Sequence, residues 1–257
     1  MTPPTPVSRI PENLRENLAE HSERLESATP QEIIAWAAQE LGEGLVLSSS
    51  FGADAVAMLH IVSQVAPTMR VAFLDTGWHF PETLLFRREV EQRFGLNIVD
   101  LVVEGGHDRF RDTHGELWRT STDACCNYNK VEPWRKFLIE QGCSGWLAGL
   151  RRESGGVRAK VAILEPSIIV DPVAGSFELL KIHPVANWTK KQLWGYIMAN
   201  ELPYHPLADQ GYPSIGCWPC TRAVKPGEDE RAGRWAGEAK TECGLHLMSA
   251  PQPPPAS

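Results

Sequence analysis

Cysteine carries the most specific chemistry in this chain. Cys125 and Cys126 are adjacent, and Cys217-Trp218-Pro219-Cys220 is a CxxC pair. Four thiolates in two close pairs are soft ligands of the kind that hold zinc or an iron–sulfur cluster. Adjacent side chains diverge, by about 100° on a helix and onto opposite faces of a strand. That divergence suits the separate irons of a 4Fe-4S cubane better than the converging sulfurs of one zinc ion. Zinc remains open at this point. So do a thioredoxin-like dithiol for the CxxC pair and a plain buried role for Cys125 and Cys126. Cys143 follows Gly142 with no partner at ligand spacing and reads as structural. Cys243 lies in Thr241-Glu242-Cys243-Gly244-Leu245-His246, where Lys240 and His246 are placed to lower the thiol pKa and leave a reactive thiolate. An incidental exposed thiol is the plain alternative.

Three further stretches have the residue types for an anionic ligand. Ser48-Ser49-Ser50-Phe51-Gly52-Ala53-Asp54 offers hydroxyls and free backbone N–H groups where a strand runs into a helix, a place that favours an anionic oxygen. It lacks the GK[ST] ending of a P-loop, so ATP hydrolysis is not implied. Leu74-Asp75-Thr76-Gly77 brings a carboxylate, a hydroxyl and a glycine to another strand end, suited to a nucleotide edge or ribose. Arg151 and Arg152 follow Gly149-Leu150, with Arg158 and Lys160 close behind, and clustered arginines bind phosphate or sulfate through paired N–H groups. Ordinary turns and a solvated basic loop paired with Glu153 and Glu165 are the alternatives.

Such loops need a scaffold, and the hydrophobic pattern supplies one. Thr29-Pro30-Gln31-Glu32 combines an N-cap, a proline at the first helical position and a capping-box glutamate, and Ile33, Ile34, Ala37, Ala38 and Leu41 then share one face. Residues 44–48 read as a strand, 53–65 as a helix and 71–74 as a strand, a βαβ unit. Helices over 81–94 and 132–141 alternate with strands over 98–103 and 146–149. Shorter strands over 167–170 and 179–183 and a capped helix over 189–200 follow. The expected fold is α/β, a mostly parallel sheet covered by helices on both faces. In an open sheet of this kind ligands sit beyond the carboxyl ends of the strands, where the three loops fall. Residues 1–28 read as a polar arm and a first helix over 13–26, residues 29–225 as the α/β domain, and residues 226–257, rich in Gly, Glu, Arg, Ala and finally Pro, as a flexible tail carrying Cys243.

Composition narrows the function. The 257 residues carry 25 Lys and Arg against 32 Asp and Glu, a formal charge of −7, which excludes a broad basic face for duplex nucleic acid. No apolar run approaches the roughly 18 residues that span a bilayer, and the start lacks the layout of a signal peptide. The expected location is therefore the cytoplasm, away from membranes. Six cysteines in so long a chain are too few for a disulfide framework.

Taken together, the two cysteine pairs, the Leu74-Asp75-Thr76-Gly77 and Gly149-Leu150-Arg151-Arg152 loops and the terminal Glu242-Cys243-Gly244-Leu245-His246 resemble the assimilatory sulfonucleotide reductases. The similarity is to the iron–sulfur type that reduces adenylyl sulfate (APS), and it runs over residues 45–246. It implies an adenine-nucleotide α-hydrolase-like fold with residues 48–54 in the phosphate-binding position, without the SGGKDS lysine of the pyrophosphatase relatives. It implies a 4Fe-4S cluster on Cys125, Cys126, Cys217 and Cys220, with Lys130 reaching toward the substrate's sulfate or phosphate. Arg231 and Arg234 match the tail segment that folds over the nucleotide. The implied substrate site comprises Ser48, Ser49, Ser50, Gly52, Asp75, Thr76, Gly77, Lys130, Arg151, Arg152, Arg231, Arg234 and His246, with Cys243 as the nucleophile. Attack on the APS sulfur would displace AMP and leave an S-sulfocysteine, from which a thioredoxin or glutaredoxin thiolate releases sulfite. On this reading the cluster acts electrostatically, because the electrons come from thiols. A reductase for the 3′-phosphorylated substrate (PAPS), one using both, a tRNA thiolase and an iron–sulfur or zinc redox sensor are the rivals, and a homo-oligomer is compatible with all of them.

Overall fold

Apolar runs alternating with amphipathic helices build one seven-stranded sheet in the computed structural model, which describes residues 6–171 and 175–247. In chain order the elements are β1 (Val7–Ser8), α1 (Glu12–Glu16), α2 (Leu18–Leu25), α3 (Pro30–Leu41), β2 (Leu45–Ser49), α4 (Ala55–Val65), β3 (Arg70–Asp75) and α5 (Pro81–Phe94). There follow β4 (Asn97–Val102), α6 (Gly106–His114), α7 (Thr122–Cys126), α8 (Glu132–Glu140), β5 (Gly145–Ala148), β6 (Leu164–Asp171), β7 (Gly175–Ile182) and α9 (Lys190–Ala199).

The strand order is β1-β7-β5-β2-β3-β4, with β6 along the remaining edge of β7. All pairs are parallel except β6 with β7. β5 and β1 share one edge of β7, β5 opposite Leu180 to Ile182 and β1 opposite Phe177 and Glu178. Successive side chains of a strand point to opposite faces, and β2 shows why this sheet is covered twice. Leu45 and Leu47 enter one apolar cluster with residues of α3, α4, α5 and α9, while Val46 enters a second with Trp134, Phe137 and Leu138 of α8. Burying each such side chain contributes roughly 1.5–3 kcal/mol.

Local signals set the helix ends. Thr29 Oγ1 accepts from Glu32 N at 3.3 Å and Glu32 Oε2 accepts from Thr29 N at 2.7 Å, the reciprocal capping box read from the sequence. α5 ends at Gly95, whose φ of 62° is the left-handed conformation that closes a helix at low cost for glycine.

Two departures stand out at the N-terminus. The expected helix over 13–26 is broken at Asn17, whose backbone leaves the helical region and whose Nδ2 donates to Asn13 O at 2.8 Å, a local bond that competes with helix propagation. The expected surface arm contributes β1, with Arg9 N donating to Glu178 O at 2.8 Å. After Gly227 the described chain lies back across the sheet. Trp235 N donates to Cys220 O at 3.0 Å, and Trp235 and Leu245 are buried. The proline-rich residues 248–257 and residues 1–5 lie outside the described part. Among the described residues no helix is long and apolar enough to cross a membrane.

Two buried histidines make stability depend on pH. His183 Nδ1 donates to the Ala162 carbonyl at 2.7 Å and its Nε2 has no partner. His205 Nδ1 accepts from Leu207 N at 3.2 Å, and its Nε2 lies 2.9 Å from Thr83 Oγ1. Burial lowers both pKa values to about 4. The folded state thus keeps both rings neutral while the unfolded chain takes up protons near pH 6.5. Their contribution is complete above pH 6.5 and is lost as pH falls toward 4, up to about 3 kcal/mol each. Thermal unfolding midpoints should therefore fall between pH 6.5 and 4.5, less steeply in His205→Gln; a midpoint flat across that range would refute the assignment.

Candidate active site

The strand order reverses direction around β2, whose neighbours are β3 and β5, and beyond these carboxyl ends lies a cavity of about 220 Å³. The loop after β2 brings Ser48, Ser49, Ser50 and Gly52 to its wall, and the loop after β5 brings Gly149, Leu150 and Arg151. Phe51 takes a positive φ of 49°. This is unusual for a bulky residue, and it is held there by complete burial and an edge-on contact with Phe73, ring centres 5.5 Å apart. Ser49 Oγ accepts from Phe51 N at 3.2 Å and Ser48 Oγ accepts from Trp146 Nε1 at 2.7 Å, so both hydroxyls are fixed in place. Trp146 also stacks on His246, with centroids 5.5 Å apart and planes 17° from parallel, tying the β2 loop to the last described residues.

The adjacent arginines have separate fates. Arg151 is buried on the cavity wall among three carboxylates: Glu153 at 3.0 Å, Glu230 at 3.2 Å and Asp54 at 3.4 Å. Arg152 turns away from the cavity. Its guanidinium pairs with Glu26 and Asn187, and its Nε donates to Val161 O at 2.8 Å. The expectation that Arg152 binds substrate therefore fails on geometry, because Arg151 is extended while Arg152 begins a short helical turn, and the two side chains leave in different directions.

The remaining positive charge comes from elsewhere. Arg234 lies against Gly216, where a β-carbon would collide with its guanidinium, and over the Trp235 ring at 4.5 Å. Arg231 donates to Thr241 O at 2.8 Å and stands 3.4 Å from Glu242; burial lowers its pKa to about 10. Lys130 lines both this cavity and a second one. Burial disfavours its ammonium, but neighbouring Cys217, Cys126 and Cys243 outweigh that effect and hold its pKa above the usual lysine value.

The second cavity, about 10 Å³, is lined by Cys125, Cys126, Cys217 and Cys220. Cys125 and Cys126 end α7, capped by Ser121 Oγ accepting from Ala124 N. The chain then widens into a π turn, Asn127–Val131. Pro133 accounts for the turn, since it has no N–H and its ring crowds the carbonyl four residues back. Cys217 to Cys220 form a tight turn around Pro219, with Cys220 N donating to Cys217 O at 3.0 Å. Thr76 Oγ1 lies 3.3 Å from Cys217 Sγ, and Asn129 Nδ2 donates toward Cys125 Sγ at 3.7 Å.

All four cysteines are free. Burial and then the neighbouring sulfurs push Cys125 up to about 12 and Cys220 to about 11. Uncharged thiols are therefore favoured at Cys125 and Cys220, and a positively charged metal group would turn such thiols into thiolates. The donor set fits a soft metal group: four sulfurs from two elements, hydrogen-bond donors around them and a cation beside them. Among the described residues no three His, Cys, Asp or Glu side chains converge on a single-ion site. The four cysteines line one shared space instead.

Other expected residues divide between the two cavities. Thr76 serves the sulfur cavity, while Asp75 and Gly77 line neither. Asp75 accepts from Gly77 N at 3.0 Å and lies 3.6 Å from His107, whose ring covers Gly77. Cys243 and His246 line the larger cavity. Neither Lys240 nor His246 activates Cys243 as expected. Lys240 pairs with Asp123, and burial holds the His246 pKa well below the usual histidine value, so the ring is neutral. The cations near Cys243 are Lys130 and Arg231. Asp54, Arg158, Glu230 and Glu242 also line the cavity. Their placement follows from which carboxylates meet which guanidiniums in space, which spacing alone does not show.

Residues 44–223 match the model of the phosphoadenosine phosphosulfate reductase domain. The chain belongs to this family. It is 40% identical over 239 residues to an adenosine 5'-phosphosulfate reductase of Bacillus cereus, covering 92% of this chain and 98% of that one. It is 40% identical over 221 residues to one of Geobacillus kaustophilus, 84% and 89%. Among solved structures, phosphoadenylyl-sulfate (PAPS) reductase from Candida auris in its phosphate complex superposes with a TM-score of 0.68 at 29% identity, over 81% of this chain and 97% of that one. FMN adenylyltransferase of Candida glabrata, TM-score 0.55 at 14% identity over 81% and 70%, shares the fold. The adenine-nucleotide α-hydrolase-like architecture expected from the sequence is the one observed.

In this family member the two arginines can be told apart by substitution. Arg152→Ala removes partly exposed pairs and should cost about 1 kcal/mol or less, leaving AMP affinity unchanged. Arg151→Met leaves three carboxylates facing one another and should cost several kcal/mol, on the order of 3–5, and weaken AMP binding. Thermal melts and calorimetric titration with AMP decide; equal effects of the two changes would refute the distinction.

Proposed function

We propose that this reductase converts APS to sulfite and AMP in sulfate assimilation, toward cysteine biosynthesis, through an S-sulfocysteine on Cys243. One observation carries the reading: Cys243 lines the anion cavity beside Lys130 and Arg231, at the boundary with the four-cysteine cavity. The relatives that are 40% identical over nearly their whole length are named for the same reaction.

The charges explain the need for such a site. A thiolate approaching the sulfur of APS meets a shell of anionic oxygens, and Lys130, Arg231 and Arg234 offset that repulsion where it arises. Ser48, Ser49, Ser50 and Gly52, with the N-terminus of α4, receive the phosphate. Arg151, neutralised by its own carboxylates, shapes the wall. The Cys243 sulfur then bonds to the sulfate sulfur as its bond to the bridging oxygen breaks, and AMP leaves with both electrons of that bond. A dithiol donor, thioredoxin or glutaredoxin, next attacks the Cys243 sulfur and expels sulfite; its second thiol resolves the mixed disulfide and frees the Cys243 thiolate. The glycine-interrupted segment after residue 226 carries Cys243 between the two steps.

Cys125, Cys126, Cys217 and Cys220 would hold a 4Fe-4S cluster, whose contribution when bound is electrostatic and structural. Lys130 stands between those sulfurs and the substrate and conveys positive charge to the reacting centre. The PAPS reading draws on the Candida auris likeness, but Asp54 and Glu230 bring negative charge into the cavity, which disfavours an additional phosphate. A cytoplasmic setting, where thiol donors are kept reduced, suits the chemistry.

Mixing anaerobically purified protein with APS in the absence of reductant should yield a sulfite adduct mapped to Cys243, with little or none from PAPS. Cys243→Ser should lose turnover to background. An equal adduct from PAPS would establish dual use. No adduct from either, with the metal content intact, would overturn the nucleophile assignment and favour a redox sensor.

A further inference from the structure

Arg158 reads in the sequence as one more arginine for an anionic ligand, yet its Nε and Nη2 are already engaged. It ends the short helical turn Gly156–Arg158 on the cavity rim. Its Nε donates to Glu242 Oε1 at 2.7 Å and its Nη2 to Glu242 Oε2 at 3.0 Å, a two-pronged pair. The pair is sheltered, with the Glu242 side chain 5% exposed and that of Arg158 16%. Arg231 closes the other side, 3.4 Å from the same carboxylate and donating to Thr241 O at 2.8 Å.

Glu242 immediately precedes Cys243. Beyond the cysteine, Leu245 is buried in the apolar cluster around Trp146, and Lys181 donates to His246 O at 3.3 Å. Cys243 thus sits on a short bridge with both ends tied down, one by charge and one by apolar contact. With both carboxylate oxygens engaged, Arg158 offers neither Nε nor Nη2 to a substrate while the segment lies in this position.

We infer that Arg158 and Glu242 form a latch that seats Cys243 in the cavity, acting as positioning residues rather than substrate ligands, and that opening the latch hands Cys243 to the thiol donor. The inference rests on Cys243 being the nucleophile; the geometry of the latch does not. A fixed thiolate lowers the orientational cost of attack. An ion pair suits a reversible catch, since water solvates both charged groups once the pair opens and offsets much of the lost attraction, a compensation that an apolar anchor lacks.

The test uses the holoenzyme carrying Glu242→Gln, Arg158→Gln or both, with two readouts: the rate at which iodoacetamide alkylates Cys243, followed by peptide mapping, and the single-turnover rate of S-sulfonation across APS concentrations. Both single variants should alkylate faster, roughly tenfold or more for loss of a charge-assisted pair, and the double variant no faster than either single one. Maximal S-sulfonation should fall by a similar factor while the half-saturating APS concentration changes less. Unchanged thermal midpoints would confirm that folding is intact. A purely electrostatic influence on the thiol predicts opposite signs, because Glu242→Gln removes a negative charge and Arg158→Gln a positive one; that result, or unaltered alkylation, overturns the latch. So does an Arg158→Gln variant that raises the half-saturating APS concentration and leaves alkylation and maximal rate untouched. Should the wild type form no S-sulfonate, the nucleophile reading falls while alkylation still decides the latch.

Discussion

A cation withdrawn from water must be matched by nearby negative charge or lose its proton. Lys130 meets that condition only where the sulfurs beside it carry charge, and the neighbours that then most favour its ammonium are Cys217, Cys126 and Cys243. Much of the site follows from this. Cys126 lines the four-cysteine cavity, Cys243 the larger one and Cys217 both, so the ammonium stands at the boundary between them. The π turn that presents Lys130 exists because Pro133 interrupts the helical ladder just beyond it. A regular helix from Thr122 to Glu140 would carry Lys130 to another bearing relative to Cys125 and Cys126.

The cavity also separates the charge that shapes it from the charge left for a ligand. Arg151, on the rigid loop after β5, is saturated by Asp54, Glu153 and Glu230. Two of those carboxylates come from segments far apart in sequence, so the arginine joins the β2 loop to the C-terminal segment. Lys130 and Arg234 have sulfur, hydroxyl, carbonyl and ring neighbours instead. An anion entering the cavity would therefore compete with fewer carboxylates at these two groups than at Arg151. Both are held by elements added outside the parallel sheet, which fits a general scaffold fitted with particular chemistry.

What the sequence revealed and what it concealed divide along physical lines. Periodicity and caps are local, so α3 with its capping box, α5 and the alternating strands could be read directly. The cysteine pairs were legible because two close spacings recur, but their meeting in space brings the end of α7 against the Cys217–Cys220 turn, a long-range contact that spacing does not show. Arg151 and Arg152 look equivalent as letters, and only the direction of each side chain from the backbone separates them. Lys240 and His246 flank Cys243 in the chain, but Asp123 draws the lysine away and burial keeps the histidine neutral. The break at Asn17 and the π turn arise from single hydrogen-bond competitions that outweigh an otherwise helical pattern.

Aromatic side chains complete the argument about charge. Trp78, Trp118 and Trp218 contact one another beside the CxxC turn, with centroid separations of 5.7 to 6.2 Å, and Trp235 closes the opposite wall. Indole rings exclude water without offering compensating charge, so they lower the local dielectric and lengthen the reach of every ionic interaction inside. The charge of Lys130 is thus felt at the surrounding sulfurs more strongly than it would be in water. Trp146 works differently. Its indole N–H fixes Ser48 while its face receives His246, so the end of β2 and the segment holding Cys243 share one support. A displacement at either end must be accommodated by that ring, and this makes the relative position of the serine-rich loop after β2 and Cys243 a property of the packed core.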